Sequence, residues 1–394
     1  MTYMFSARFP RDFRPNRLSR ALEARRREGA PILDLTVSNP TRAAFDYPPE
    51  IARSFDHPDV LRYDPAPAGL RAARQAVAGY YAARGRRVDP ERILLTASTS
   101  EAYAYLFKLL TDPGDQVLAP RPSYPLFECL ASMESVDVRT YPLFYHGRWA
   151  IDLDALAAAV TGRTRALILV NPNNPTGSYL KRAEWELLSR MCRERTIALI
   201  SDEVFSDYAF GPDQERIATL AGEEECLTFS LSGLSKIAGL PQMKLGWMVV
   251  GGPAEPRDQA WERLEWIADT YLSVSTPVQH AAARLLAAGE AVQQQIRRRT
   301  SENLQFARQT LAHSCATPLA VEGGWCLTLQ VPRVRTEEEW TLDLLSQCGV
   351  LVQPGFFYDF ESEAFLVVSL LTEPVVFREG LTRATRFLED GSVQ

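Results

Sequence analysis

The sequence has few of the residues that build metal sites and disulfide frameworks. Its 394 residues include six cysteines and four histidines. The cysteines are dispersed, without a CxxC pair or a Cys/His cluster, and the histidines do not stand at metal-ligand spacing. This usage argues against a zinc site and against a disulfide framework. We therefore predict a protein without a metal, in a reducing cytoplasm.

Long apolar segments and a strong charge of either sign are also missing. Because no apolar run reaches ~18 residues and the N-terminus lacks an apolar core of signal-peptide length, membrane insertion and export are both disfavoured. The formal net charge of -6 gives no reason to expect binding to nucleic acid or to a membrane surface. The apolar fraction of 46% is ordinary for a globular protein, and the length allows two domains.

What the sequence does contain, between residues 93 and 200, is an alternation of short apolar strands and helical segments. Such alternation predicts an α/β fold with a mixed, mostly parallel sheet that is flanked by helices. From Val278 a long helical pattern and then shorter strands and helices indicate a smaller α+β domain formed by both chain ends. The predicted parts are an N-terminal segment, 1–48, a large domain, 49–285, and a small C-terminal domain, 286–394.

One lysine, Lys236, lies in a segment rich in Gly, Ser and Pro that leads into an apolar strand at 245–250. Its near neighbours include Leu234, Ile237 and Ala238. Since an ammonium group is costly to desolvate, apolar surroundings favour the neutral amine, which is a nucleophile toward aldehydes. A solvated loop lysine is the alternative interpretation of the same local sequence.

Three further polar segments follow predicted strands, where ligands collect in open α/β sheets. Residues 96–100, TASTS, precede a helix, and this is either a phosphate cradle or a plain N-cap. Residues 171–177, NPNNPTG, form a rigid turn that fixes an Asn amide. Asp202 and Glu203 follow a buried strand, where a carboxylate needs a cationic partner unless it merely caps the loop.

Together these motifs resemble one family. The order TASTSEA, RPSYPLF, NPNNPTG, SDEVFSDYAF and GLSK, followed by a cation eight residues on and by GW, is similar to the fold-type I pyridoxal-phosphate-dependent aminotransferases of the aspartate and alanine aminotransferase type, class I/II. The resemblance extends from Asp34 to the end of the chain. It implies pyridoxal 5'-phosphate as the cofactor, a small-molecule amino donor and an oxo acceptor as substrates, and a homodimer.

The resemblance also implies roles for individual residues. Lys236 matches the lysine that holds the cofactor as a Schiff base and then shuttles the α-proton of the substrate. Asp202 matches the aspartate that pairs with the pyridinium nitrogen, and Asn174 the donor to the phenolic oxygen. Tyr124 matches the aromatic residue that stacks on the ring, although a place in the core would explain it equally. The phosphate group is expected to contact Thr99, Ser100, Ser235 and Lys244, and also Tyr63 of the neighbouring subunit.

Two departures from the family pattern concern the cofactor. Lys244 stands where the family usually has arginine, so the charge is kept and the bidentate geometry is lost. Phe205 stands where the family usually has a tyrosine that donates to the same oxygen as Asn174. We expect the Schiff base to have a higher pKa than is usual in the family, unless Tyr208 supplies a hydroxyl group instead.

A third departure concerns the substrate. The family's carboxylate-binding arginine is replaced by Val367 in AFLVVSLL, and no arginine occurs between Arg335 and Arg378. A bidentate arginine orients the amino acid in such enzymes. Either another cation replaces it, with Arg42 of the SNPTR loop as the first candidate, or the substrate has no α-carboxylate in the usual place. For Arg42, a plain surface position is the alternative.

Other residues are candidates for substrate contacts. Asn39 shares the SNPTR loop, and Trp325 lies in EGGWCL. With the aromatic run Phe356–Tyr358, Trp325 suggests an aromatic pocket wall, although core packing explains aromatic residues as often. The substrate itself is not identified by the sequence.

Two alternatives to an aminotransferase remain open. The residues Lys236, Asp202 and Asn174 would activate other reactions on the same cofactor, such as β-elimination, decarboxylation or oxidation. A non-catalytic, cofactor-binding regulatory protein is the second alternative, although the chain has neither a basic helix-turn-helix nor an extra N-terminal domain.

Overall fold

The computed structural model describes Met4, residues 6–9 and residues 13–392. The predicted N-terminal segment, 1–48, therefore lies partly outside the described residues. The strands are β1 (Leu33–Asp34), β2 (Ile93–Thr96), β3 (Gln116–Arg121), β4 (Asp137–Tyr145), β5 (Trp149–Ile151), β6 (Thr164–Val170), β7 (Ala198–Asp202), β8 (Thr228–Gly233), β9 (Gly246–Gly251), β10 (Thr317–Pro318), β11 (Cys326–Gln330), β12 (Val350–Leu351), β13 (Gln353–Pro354) and β14 (Phe365–Ser369).

The helices range from single turns to a helix of 35 residues. They are α1 (Arg17–Arg27), α2 (Glu50–Arg53), α3 (Arg71–Ala82), α4 (Thr99–Leu110), α5 (Leu126–Met133), α6 (Leu153–Ala159), α7 (Arg182–Arg195), α8 (Leu234–Ile237), α9 (Ala254–Tyr271), α10 (Thr276–Thr310), α11 (Glu337–Asp343) and α12 (Pro374–Ser392). Short 3₁₀ turns lie at Pro40–Arg42, Pro58–Leu61, Pro90–Arg92, Pro241–Met243 and Gly355–Tyr358, and a π-helical turn, Leu344–Cys348, follows α11.

The large sheet has eight strands in the order β2-β9-β8-β7-β6-β3-β4-β5. Its centre, from β8 to β4, is parallel, whereas β9 runs antiparallel to both of its neighbours and β5 is antiparallel to β4. The predicted mixed, mostly parallel sheet is therefore confirmed. Because β6 and β7 pair Val170 with Asp202, the carboxyl ends of these strands lie level with each other.

Both faces of this sheet are buried. Ile168 and Ile200 pack into one core cluster with helices α4 and α9. Their neighbours Leu167 and Leu199 point to the opposite face, where they pack with α7. A strand that is buried on both faces has apolar residues at successive positions. Residues 166–170 and 197–200 therefore do not alternate between apolar and polar side chains. The helices thus leave the strand ends as the accessible part of the sheet.

A second, antiparallel sheet has the order β10-β11-β14-β13. Close to it, β1 pairs in parallel with β12, with Leu33 opposite Val350. The hydroxyl group of Ser369 also donates to the carbonyl group of Val37 at 2.5 Å. Both chain ends therefore build the smaller α+β part, as the sequence predicts.

Helix α10 joins the two parts of the molecule. Its residues Leu285, Val292 and Ile296 pack in the core that lies beside the large sheet. Further along, Leu304 and Ala307 pack in the core of the smaller part. The division between residues 285 and 286 stays a prediction. Among the described residues, no helix combines the length and the apolar character that crossing a membrane requires.

Candidate active site

A cleft of about 420 Å³ lies where the carboxyl ends of β2, β6, β7 and β8 meet the smaller sheet. It brings together residues that are far apart in the sequence and that the motifs single out. The predicted residues that line it are Thr99, Ser100, Tyr124, Asn174, Asp202, Phe205, Ser235, Lys236, Lys244 and Trp325.

Lys236 lies in the single turn α8, directly after β8. Its Nζ atom lies 5.0 Å from the ring centroid of Trp325 and 5.5 Å from that of Phe205. Burial lowers the pKa of Lys236, against the opposing effect of the nearby Cys326 and Asp202. These aromatic neighbours provide the apolar surroundings inferred from the sequence, and they increase the fraction of neutral, nucleophilic amine.

Tyr208 is not available as a replacement for the missing tyrosine donor. Its hydroxyl group donates to the backbone carbonyl group of Lys236 at 2.5 Å, and its side chain is 1% exposed. Tyr208 does not line the cleft, whereas Phe205 does. Tyr208 therefore positions the turn that carries Lys236, and the suggestion that it supplies a hydroxyl group to the cofactor is wrong.

Asp202 is the last residue of β7. Burial raises its pKa to about 6, while hydrogen bonds from the amide group of Val204 and the hydroxyl group of Tyr103 act in the opposite direction. The Tyr103 hydroxyl group lies 3.3 Å from Oδ2, and the Val204 nitrogen lies 3.3 Å from Oδ1. A carboxylate in this position gains most from a cationic partner in the cleft. Sequence reasoning missed Tyr103, which lies one helical turn after Thr99.

Asn174 is held by a contact that the sequence did not indicate. The thiol group of Cys326 donates to its Oδ1 atom at 3.3 Å. Burial raises the pKa of Cys326 to about 12, which keeps the thiol protonated and able to donate. Since the amide oxygen is engaged, the amide N–H groups of Asn174 remain to face a ligand.

The other end of the cleft is suited to an anion. Helix α4 begins at Thr99 and places two hydroxyl groups, of Thr99 and Ser100, at its positive end. Ser235 and Lys244 line the same cleft. The plain capping role belongs to Ser98, whose hydroxyl oxygen accepts from the amide of Glu101 at 3.2 Å.

This set of donors fits pyridoxal phosphate by its chemistry. The cleft offers a buried amine, a buried carboxylate, an oriented amide, and a group of hydroxyls with a lysine at a helix N-terminus. These match an aldehyde, a ring nitrogen, a phenolic oxygen and a phosphate, respectively. Tyr124, 48% exposed, lines the cleft and is accessible to a ring.

Three predicted residues lie elsewhere in the subunit. Tyr63 is 73% exposed and lines a separate surface pocket with Ser273 and Val274. The side-chain oxygen of Asn39 accepts hydrogen bonds from the amide and hydroxyl groups of Thr41, at 3.0 and 2.8 Å. Arg42 is exposed, and neither Asn39 nor Arg42 lines the cleft with Lys236.

The aromatic run at 356–358 contributes less to the cleft than expected. Tyr358 lines it, as does Trp325. Phe356 is 49% exposed, and Phe357 packs against the cluster that contains Leu18. Of the predicted aromatic wall, Trp325 and Tyr358 line the cleft, whereas Phe356 and Phe357 do not.

Comparison with known proteins agrees with this geometry. The profile of the family "Aminotransferase class I and II" matches residues 30–376. The chain is 30% identical to the alanine aminotransferase of Mycobacterium tuberculosis, over 83% of this chain and 79% of that protein. It is 27% identical to the glutamate-pyruvate aminotransferase AlaA of Haemophilus influenzae, over 92% of each.

Solved structures extend the likeness to the whole fold. The crystal structure of an aminotransferase from Escherichia coli superposes with a TM-score of 0.86 at 25% identity, covering 100% of both chains. The family match covers most of the chain, including every residue that lines the cleft. The chain therefore belongs to the class I and II aminotransferases, which are pyridoxal-phosphate-dependent enzymes of fold type I.

Proposed function

We propose that this aminotransferase binds pyridoxal phosphate in the cleft, attached to Lys236, and moves an amino group from an amino donor to an oxo acceptor. The observation that carries the proposal is the buried amine of Lys236 in one cleft with the buried carboxylate of Asp202. The relatives named as alanine and glutamate-pyruvate aminotransferases support small donors and acceptors of this kind.

The roles of the residues follow from their chemistry. When bound, pyridoxal phosphate supplies a ring that withdraws electrons from the reacting carbon of the substrate. Asp202 would hold the proton of the ring nitrogen, and Asn174 would donate to the phenolic oxygen. The Nζ atom of Lys236, whose pKa is lowered by burial, accepts the proton from the reacting carbon and returns it.

Binding of the phosphate is proposed for Thr99, Ser100, Ser235 and Lys244. We further propose a homodimer, in which Tyr63 of each subunit reaches the phosphate in the other. Its exposure of 73% and its distance from its own cleft support this contact between subunits. The free, dispersed cysteines support a reducing, cytoplasmic location.

Labelling of the lysine tests the site. Borohydride reduction of the wild-type enzyme loaded with pyridoxal phosphate should fix the cofactor on the peptide that contains Lys236. The Lys236→Ala variant should carry no fixed cofactor and should lose activity by at least about 10²-fold. A control, Lys108→Ala, removes a surface lysine that pairs with Glu134 and should behave as wild type. Label on another lysine would contradict the assignment.

A half-reaction tests the type of chemistry. Addition of an amino donor alone should convert the cofactor to its amino form and release one equivalent of oxo product. An oxo acceptor should then restore the aldehyde form. Release of ammonia without formation of the amino form would show elimination rather than amino transfer.

A further inference from the structure

The wall of the cleft that the smaller sheet forms is uncharged. Strands β11, β14 and β13 lie side by side, and Val367 in the middle strand stands opposite Thr328 on one side and Gln353 on the other. Cys326, Gln353 and Ser369 line the cleft from these strands. Among the described residues, the cations that line the cleft are Lys236 and Lys244, both assigned to the cofactor.

A neutral pair packs beside Val367. The hydroxyl group of Tyr358 donates to the side-chain oxygen of Gln353, and both residues line the cleft. Val367 is 1% exposed and Tyr358 is 6% exposed. Burial raises the pKa of Tyr358 and that of Cys326, so neither carries a charge at neutral pH. The position from which a family arginine would extend is thus occupied by uncharged side chains.

Two polar groups in this region have no hydrogen-bond partner among the described residues. They are the indole N–H of Trp325, which is 4% exposed, and the hydroxyl group of Thr328, which is 3% exposed. Trp325 lines the cleft, and Thr328 lies on the same face of the sheet as Val367. Both atoms are themselves covered, so they add polar but uncharged character to the wall and do not face a ligand.

We infer that the wall recognises a primary amine bearing an uncharged acceptor, such as a carboxamide, where an α-amino acid bears its carboxylate. This inference rests on the proposed function, because it concerns the substrate of the same cleft. A carboxylate placed against the wall would lose its hydration without gaining a cation. A carboxamide has nearly the same shape and is cheaper to desolvate, and its oxygen can accept from the amide N–H groups of Gln353, whose own oxygen is engaged by Tyr358.

A matched pair of ligands without an amino group tests the wall independently of the chemistry. 3-Phenylpropanamide and 3-phenylpropanoate differ in charge and hardly in size, and neither can donate an amino group. Calorimetric titration of the wild-type holoenzyme at neutral pH should give a dissociation constant at least about tenfold lower for the amide. Equal binding, or tighter binding of the acid, would overturn the inference.

Two variants at one position sharpen the result. Val367→Arg should reverse the preference and bind the acid more tightly, whereas Val367→Leu, which adds volume without charge, should keep the preference for the amide. Circular dichroism establishes that each variant is folded. If Val367→Arg does not fold, the wild-type ligand pair decides the question by itself.

A third variant tests the competing cation. If the wild-type enzyme binds the acid tightly and the Arg42→Ala variant does not, Arg42 is the cation that binds the carboxylate. The wall then does not select against carboxylates, and the inference is wrong. Failure of the proposed function is distinguishable from failure of the inference. If the enzyme prefers the amide but never forms the amino form of the cofactor, the inference about the wall stands and the proposed reaction is wrong.

Discussion

Asp202 and Glu203 are adjacent carboxylates with different surroundings. Asp202 faces the cleft, whereas the side chain of Glu203 is 1% exposed and faces the core. Glu203 accepts hydrogen bonds from the hydroxyl group of Ser201 at 2.9 Å, that of Thr219 at 2.5 Å and the amide of Leu220 at 2.8 Å. Glu203 therefore ties residues 219–220 to the end of β7, and it has no place in the chemistry.

The pKa of Glu203 predicts how stability depends on pH. Burial raises it from 4.5 to about 7, so the folded protein holds a proton that the unfolded chain releases. The contribution of this bound proton to the free energy of unfolding has its full value below pH 4.5 and is lost as the pH rises through 7. Glu203→Gln removes the titration and keeps an amide that can bond to the same hydroxyls.

Denaturant titrations of both proteins at several pH values check this. Between pH 5 and pH 8, wild-type enzyme should lose up to about 3 kcal/mol of unfolding free energy relative to Glu203→Gln. Ser201→Ala provides a control, since it removes one hydrogen bond and leaves the titrating group in place. Parallel pH profiles for wild type and Glu203→Gln would refute the assignment.

At the residue level, local motifs predicted the candidate catalytic residues but not the residues that hold them in place. Lys236, Asp202 and Asn174, which all line the cleft, could be singled out because each lies at or just after the end of a strand in a distinctive short motif. The residues that form hydrogen bonds with them lie in remote parts of the chain. Cys326 lies 152 positions from Asn174, and Tyr103 lies 99 positions from Asp202. A single sequence carries no signal for such pairs, since the first contact depends on how the two sheets pack and the second on how helix α4 packs against β7.

Among the elements, helix α10 shows how closely the lysine turn is packed. An added Cβ at Gly289 would lie 2.4 Å from the Cβ atom of Ala238, two residues after Lys236. Alanine is normally the better helix former. At this position the gain is outweighed by the clash, because neither backbone has room to move in a packed core.

Paired glycine variants test this packing. Gly289→Ala should lower the unfolding free energy by about 1–3 kcal/mol and weaken cofactor binding, because the clash displaces the turn that carries Lys236. Gly79→Ala, at an exposed position of helix α3, meets nothing within 4 Å and should stabilise by roughly 0.5–1 kcal/mol. Thermal unfolding and cofactor titration measure both effects. Equal stabilisation by the two changes would contradict the close contact.

The order of the longer elements was predictable from periodicity, except for α9. This helix has 18 residues and is rich in charge, with four buried residues: Ala260, Leu264, Ile267 and Ala268. Their spacing is helical, but two of the four are alanines, so the apolar stripe is weak. Strands β5, β10 and β13 were missed for another reason, because strands of two or three residues are too short to show a period.

For the whole molecule, the exposed residues around Tyr63 predict where the two subunits of the proposed dimer would meet. Leu61 is 95% exposed and Tyr271 is 51% exposed, and Tyr271 precedes the residues that line the Tyr63 pocket. Exposed apolar side chains in this concentration mark an interaction surface.

A charge at this surface should separate the subunits. Leu61→Asp should raise the dissociation constant of the dimer by at least about tenfold and loosen the cofactor, because each cleft would lose the Tyr63 of its partner. Leu187→Asp, on the outer helix α7 and 48% exposed, is the matched control and should leave the dimer intact. Sedimentation velocity over a dilution series measures the dissociation. Dissociation of both variants, or of neither, would place the interface elsewhere.

The bond between Ser369 and Val37 has a consequence for how the enzyme is made. The two residues are 332 positions apart, and Ser369 lines the cleft. At about 5–20 residues per second, the ribosome needs roughly 15–65 s to add the intervening chain. Val37 therefore lacks this hydrogen bond until synthesis is nearly finished, and a nascent chain that has just added Lys236 has no completed cleft. We therefore expect a chain that ends before β14, and so lacks Ser369, to have no activity.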